Sequence, residues 1–282
     1  MSSGNPQAQE HLSFSDSMAI IFSRGLNGIQ EQAGPAVLFT LFWGTLFVGL
    51  GIGLAVGTTI LMSLLADAGL DSNSIRFSGM GAAVAAMHLI FPPLLGGGVR
   101  AGIVICQKRL REVGIGDPLL AGFRRFWPMV GAFLLLTLVN AVLSLPVLAL
   151  GYAVDSNFQA VVESFNSEQV SEEAFQRLPH FQLWALAANL LVFFVMLRLI
   201  LVLPLVLEGG SVLVSFRRSW DFTSGFLLKS IFVLLALYFC YVLGFVLCCV
   251  GLLVAVPTIL SLYASLYLHL STESESNLNQ AI

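Results

Sequence analysis

Arginine beside tryptophan is the pairing in this chain most able to do chemistry, and it occurs twice. Phe123-Arg124-Arg125-Phe126-Trp127 and Phe216-Arg217-Arg218-Ser219-Trp220 share one order: Phe, Arg, Arg, a variable residue, Trp. They hold four of only 13 lysines and arginines in 282 residues. Guanidinium groups grip phosphate oxygens in a planar fork, and indole rings favour the boundary between hydrocarbon and water. The chemistry expected of Arg124, Arg125, Trp127, Arg217, Arg218 and Trp220 is contact with lipid headgroups. The same residues also serve as orientation anchors, and the sequence leaves both uses open.

Polar residues elsewhere in apolar runs are few. Arg198 lies nine residues before Leu207, about 13 Å along a helix at 1.5 Å per residue. Its alternatives are snorkelling, pairing with a backbone carbonyl, or holding a lipid phosphate. His88, Asn140 and Asn189 are expected to hydrogen-bond between helices. No HExxH, GxSxG or paired-acid set is present, and adjacent Cys248 and Cys249 are not a CxxC motif. No enzymatic activity, cofactor or metal is expected. Gly-Leu-Gly-Ile-Gly at 49–53 follows no strand, so it is not a nucleotide loop. Gly49, Gly53 and Gly57 instead form a small-residue face for helix packing, within the chain or, alternatively, between copies.

The elements that position these residues follow from composition. The chain is 57% hydrophobic and 10% charged, with mean hydropathy +0.89. Soluble domains average about 25% charged, so the bilayer must be the solvent here. Net charge −3 excludes a broadly basic nucleic-acid binder. Six runs are long enough to span: Ala36–Ala66, Met80–Cys106, Trp127–Val154, Phe181–Leu207, Phe226–Leu247 and Gly251–Leu270. Cys248–Gly251 is the expected turn between the last two. The fold class expected is all-α, polytopic, with no β-barrel alternation.

Charge sets the expected orientation. Lys108, Arg109, Arg111, Arg124, Arg125, Arg217, Arg218 and Lys229 border one side, whereas Asp155, Glu163, Glu168, Glu172 and Glu173 dominate the other, beside Arg76 and Arg177. By the positive-inside rule both termini face the cytoplasm, and the polar first 35 residues are expected to be retained. Phe14, Met18, Ile21, Phe22 and Leu26, with Arg24, suggest a degraded third copy of the amphipathic step. The chain then divides into flexible tails, 1–12 and 271–282, around a 13–270 membrane domain. That domain holds three pseudo-repeats at about 13–110, 111–208 and 209–270, each an interfacial helix and a hairpin. Prolines in the returning spans, with Pro92–Gly98 and Pro204–Gly210, are expected to loosen their inner ends.

Leu203–Ser230, followed by Gly251–Leu270, is similar to the C-terminal half of the YciC-like family of bacterial six-span inner-membrane proteins. Pro92–Gly102 and Pro118–Gly131 resemble the family's middle section. The family in turn resembles the membrane domain of some glycerophosphodiester phosphodiesterases. The resemblance implies a multi-pass bacterial inner-membrane protein and carries over no catalytic residue. The function expected is non-enzymatic organisation or assistance of an envelope process, through membrane lipids with anionic headgroups, protein partners or a homo-oligomer. A small-solute transporter or channel subunit is the alternative, weakened by the absence of acids within the spans.

Overall fold

The computed structural model describes residues 13–67, 72–166, 172–224, 226–246 and 248–280, and among these it is helical with no strand. The expected tail 1–12 and Glu168 lie outside the described residues, as do the side chains of Arg76, Glu163, Glu172, Glu173 and Arg177. In order the helices are α1 (Phe14–Asp67), α2 (Ser72–Cys106), α3 (Leu110–Val113), α4 (Gly116–Arg124), α5 (Phe126–Val154), α6 (Ser156–Asn166), α7 (Glu172–Arg198), α8 (Val202–Leu207), α9 (Val212–Ser224), α10 (Leu227–Val246) and α11 (Cys248–Gln280). Six stretches are long and apolar enough to cross a membrane: Phe14–Asp67, Gly81–Cys106, Phe126–Val154, Pro179–Leu207, Leu227–Gly244 and Gly251–Thr272. The chain has the architecture of an all-α, multi-pass membrane protein.

Three prolines set the breaks. A proline ring crowds the helical carbonyl four residues earlier, and at three prolines the turn before it opens. Gln32, three residues before Pro35, is non-helical at φ −114°, ψ 18°. Arg125 stands three before Pro128 at φ −110°, ψ 33°, and Leu201 three before Pro204 at φ −91°, ψ 2°. These breaks kink α1, separate α4 from α5, and separate α7 from α8. The two FRR copies therefore differ. In the second, Asp221 replaces the proline and the whole motif lies within α9. In the first, the helix stops at Arg124 and Trp127 already belongs to α5.

Some boundaries differ from expectation. Cys248–Gly251 begins α11 rather than forming the turn. α11 runs on to Gln280, well beyond Leu270, because Ser271–Gln280 contains neither glycine nor proline. Pro92–Gly98 lies inside continuous α2, and its glycines are contact surfaces rather than loose ends. A Cβ on Gly97 would lie 3.2 Å from the Leu119 carbonyl, and one on Gly98 would lie 3.3 Å from Trp43 and Leu260 side chains.

The chain forms two compact units. The first comprises Met1–Gly53, Leu94–Phe123 and Phe226–Ile282; the second comprises Leu54–Pro93 and Arg124–Gly225. In the first unit, α1 is stitched to its neighbours by polar groups. Ser261 and Ser265 donate their hydroxyls to the carbonyls of Gly25 (2.9 Å) and Ile21 (2.8 Å). The Cys106 thiol donates to the Ser261 carbonyl, and Lys229 Nζ donates to Ser17 Oγ at 2.9 Å. Glycines allow this closeness: a Cβ on Gly28 would meet the Ile105 carbonyl oxygen at 2.8 Å, and one on Gly102 would overlap that of Leu260.

The α1 kink is also clamped. Gln32 Nε2 donates to the Lys108 carbonyl, and Gln32 Oε1 accepts from the Arg111 N–H. Lys108 has φ +57° and closes α2 in a Schellman motif: its N–H bonds to the Ile105 carbonyl and that of Arg109 to the Val104 carbonyl. Its ammonium pairs with Glu31.

Candidate lipid-facing site

In the second unit the site begins where α7 stops. Pro204 ends that helix and leaves its last carbonyls without helical donors. The serine and threonine face of α9 supplies donors. Ser219 Oγ donates to the Arg198 carbonyl at 2.8 Å, and Thr223 Oγ1 donates to the same oxygen at 3.1 Å. Ser219 Oγ in turn accepts the Leu201 N–H at 3.2 Å. Ser215, Ser219 and Thr223, four residues apart, form the buried face of α9.

The same docking places the Arg198 guanidinium over the Trp220 ring, 5.5 Å from its centroid. Arg198 thus joins the second FRR copy. It is the last residue of α7, where the apolar stretch Pro179–Leu207 breaks before α8. Its Nη1 is enclosed and has no hydrogen-bond partner among the described residues. A cation in the last turn also suits the negative end of the helix.

The first copy reaches the same region through Arg125. α8 ends in a second Schellman motif, with Gly209 at φ +115°. A Cβ on Gly209 would lie 2.8 Å from Arg125 Nη2, so the guanidinium packs against this turn. Met129, Ala132, Leu199, Val202 and Val206 form the core beneath, with Val212 and Phe216 packed on it. Residues following the first FRR copy and the Phe of the second therefore share one hydrophobic cluster. Arg124, Arg217 and Arg218 are exposed, and Trp127 is 73% exposed.

The outward side of α9 carries apolar residues beside Arg217, Arg218 and Asp221. Leu213 is 75% exposed, and Val214 and Trp220 are about half exposed, while Ser215, Ser219 and Thr223 are buried. Fully exposing a large apolar side chain to water forgoes about 1.5–3 kcal/mol of burial. Such a helix suits a hydrocarbon surround. The N-terminal part of α1 is arranged likewise. Of the apolar set Phe14, Met18, Ile21, Phe22 and Leu26, only Ile21 is buried, whereas Ser17, Gly25, Gly28 and Gln32 face inward.

His88, Asn140 and Asn189 fall in different settings. His88 Nδ1 lies 2.8 Å from the Val84 carbonyl, and Nε2 lies 3.3 Å from Thr137 Oγ1. The first contact requires a proton on Nδ1, leaving Nε2 as acceptor in neutral histidine. Asn140 and Asn189 are exposed instead, and no interhelical hydrogen bond of either side chain is present among the described residues. Gly49, Gly53 and Gly57 are exposed, and a Cβ on each would meet nothing within 4 Å among the described residues.

At the end of α5, Asp155 organises a separate junction. Oδ1 accepts the Asn157 and Phe158 N–H groups, capping α6, while Oδ2 lies 3.1 Å from both Trp184 Nε1 and His180 Nδ1. Desolvation raises the Asp155 pKa, but the hydrogen bonds from Trp184, Phe158, His180 and Asn157 together outweigh it and hold the carboxyl below its ordinary value of 3.8. The Trp184 ring lies on Gly151, where a Cβ would come within 2.7 Å.

Sequence inspection missed Ser219, Thr223, Ser261, Ser265, Gln32 and Gly102. The signal available was small polar residues at i, i+4 in otherwise apolar helices. No group of three or more His, Cys, Asp or Glu able to hold a metal occurs among the described residues. No family model, curated protein or solved structure matches the chain.

Proposed function

We propose that this is a non-enzymatic protein of the bacterial inner membrane that organises or assists an envelope process by holding lipid or protein contacts at the cytoplasmic leaflet. The observation that carries the reading is α9, where Ser215, Ser219 and Thr223 face the protein while Leu213, Val214 and Trp220 face outward beside Arg217 and Arg218. A helix of that design lies along the membrane interface, with indole and leucine in the acyl region and arginine at phosphate level. The basic loops then face the cytoplasm, as do both termini, and the YciC-like resemblance agrees with that location.

The test is depth-resolved quenching in liposomes, comparing the full chain with Trp220→Phe to isolate the Trp220 signal. Lipids brominated near the headgroup should quench that signal strongly and aqueous iodide weakly. Iodide quenching without bromolipid quenching overturns the reading.

A further inference from the structure

We propose that Arg198, Trp220 and Arg217 form a phosphate-binding site for the headgroup of an anionic phospholipid. The proposal rests on the interfacial placement of α9. Arg198 is held in place but unsatisfied. Its carbonyl is already occupied by Ser219 and Thr223, so the helix end does not need the guanidinium as a cap. The guanidinium is steadied by the Trp220 face, and Nη1 has no hydrogen-bond partner among the described residues. Nor does any carboxylate there form an ion pair with Arg198. An enclosed cationic donor without an acceptor is costly in a low-dielectric surround, and a phosphate diester supplies two acceptor oxygens at once.

The surroundings match a lipid rather than a soluble anion. Arg198 is half-buried rather than sealed, and Trp220 is 46% exposed. Arg217 precedes Trp220 by three residues, on the same edge of α9, and is exposed. Leu213 shares that edge and offers an acyl chain an apolar surface. Asp221 is exposed and stands one turn after Arg217, so it flanks that arginine on the side away from Trp220. One phospholipid could therefore rest its tail on Leu213 and Trp220 and its phosphate between Arg217 and Arg198.

The experiment is native mass spectrometry of the full chain in detergent, titrated with phosphatidylglycerol or with phosphatidylcholine of matched tails. The wild type should retain phosphatidylglycerol preferentially. Arg198→Gln should weaken that retention about tenfold or more, with phosphatidylcholine unchanged. Arg198→Lys should fall between, since an ammonium keeps the charge but not the fork. Arg217→Gln, at an exposed position that leaves the fold intact, should also reduce the preference. Equal retention of the two lipids by the wild type, or undiminished preference in both glutamine variants, overturns the site. Displacement of phosphatidylglycerol by millimolar inorganic phosphate would identify a free-phosphate site and overturn the lipid assignment. Quenching of Trp220 by bromolipid without any headgroup preference removes this site alone, whereas loss of that quenching removes the interfacial reading too.

Discussion

Ser219 Oγ donates to the Arg198 carbonyl at 2.8 Å and accepts the Leu201 N–H at 3.2 Å, so one hydroxyl satisfies both sides of the break between α7 and α8. Those two backbone groups flank a turn that Pro204 imposes, and no helical partner is available to them. The second FRR copy is thereby fixed against the end of α7, and Trp220, the next residue, comes to lie under the Arg198 guanidinium.

Replacing Ser219 with alanine should therefore cost more than an ordinary membrane hydrogen bond. Such bonds average about 0.6 kcal/mol. Here two backbone groups lose a partner, although Thr223 still serves the carbonyl, so about 1–2 kcal/mol is expected. Ser224→Ala, at an exposed site, should stay within about 0.5 kcal/mol. Thermal unfolding of the two variants in one detergent measures the difference, and equal midpoints would show that Ser219 does not hold the bend.

Glycine substitutions should split by sign. At Gly102 a methyl group would overlap the Leu260 carbonyl oxygen, and backbone cannot yield as a side-chain tip does. Gly102→Ala should destabilise by about 1–3 kcal/mol. At Gly49 the methyl meets nothing within 4 Å, so Gly49→Ala should be neutral or gain up to about 1 kcal/mol of helix propensity. Destabilisation of the protein by Gly49→Ala, seen in the same unfolding assay, would place another chain against that face.

Asp155 gives the junction of α5, α6 and α7 a defined acid sensitivity. Its pKa is lower folded than unfolded, so its contribution is complete above the unfolded value of about 3.9. That contribution is lost as pH falls through the depressed folded value. Trp184 emission, taken as wild type minus Trp184→Phe, should change in this acid range. Asp155→Asn keeps an acceptor for the α6 cap but removes the titration, and its emission should be flat. Persistence of the acid transition in Asp155→Asn would assign it to another group.

Lys108 occupies a left-handed backbone position that costs a non-glycine residue about 1–2 kcal/mol. Glycine there relieves this strain and loses an exposed ion pair to Glu31 worth about 0–1 kcal/mol. Lys108→Gly should come out near neutral or slightly stabilising, and Lys108→Val clearly destabilising, because a β-branched side chain fits that region worst. Unfolding midpoints of the two variants should rank in that order; the reverse order would contradict the observed α2 cap.

Reporter fusions test the orientation. Junctions after Gln107, Asn166 and Ser271 should report inside, outside and inside. The first of these follows α2, the second ends α6, and the third lies within α11. Any other pattern rejects the six-span arrangement with cytoplasmic termini.

The apolar runs and the repeated FRR motif were legible in the sequence because both are local patterns. The proline breaks were legible only in part: Gln32, Arg125 and Leu201 each stand three residues before a proline, but Pro92, Pro93, Pro146 and Pro257 lie inside continuous helices. Nothing local separated Ser261, which bonds Gly25, from Asn140, which faces outward, since both are polar residues in apolar helices. Nor did spacing distinguish Gly102, packed against Leu260, from Gly53, which touches nothing.

By itself the sequence determined an all-helical chain with six stretches able to span a membrane. In hydrocarbon each backbone N–H and C=O needs a partner, and a helix meets that need within four residues. Tertiary structure alone decided which polar side chains turn inward, that Arg198 ends a helix beneath Trp220, and that Arg125 meets Gly209. Each of those outcomes depends on a carbonyl, ring or glycine brought within a few ångströms from a distant part of the chain. Helix periodicity says which residues share a face; packing says which face meets protein and which meets lipid.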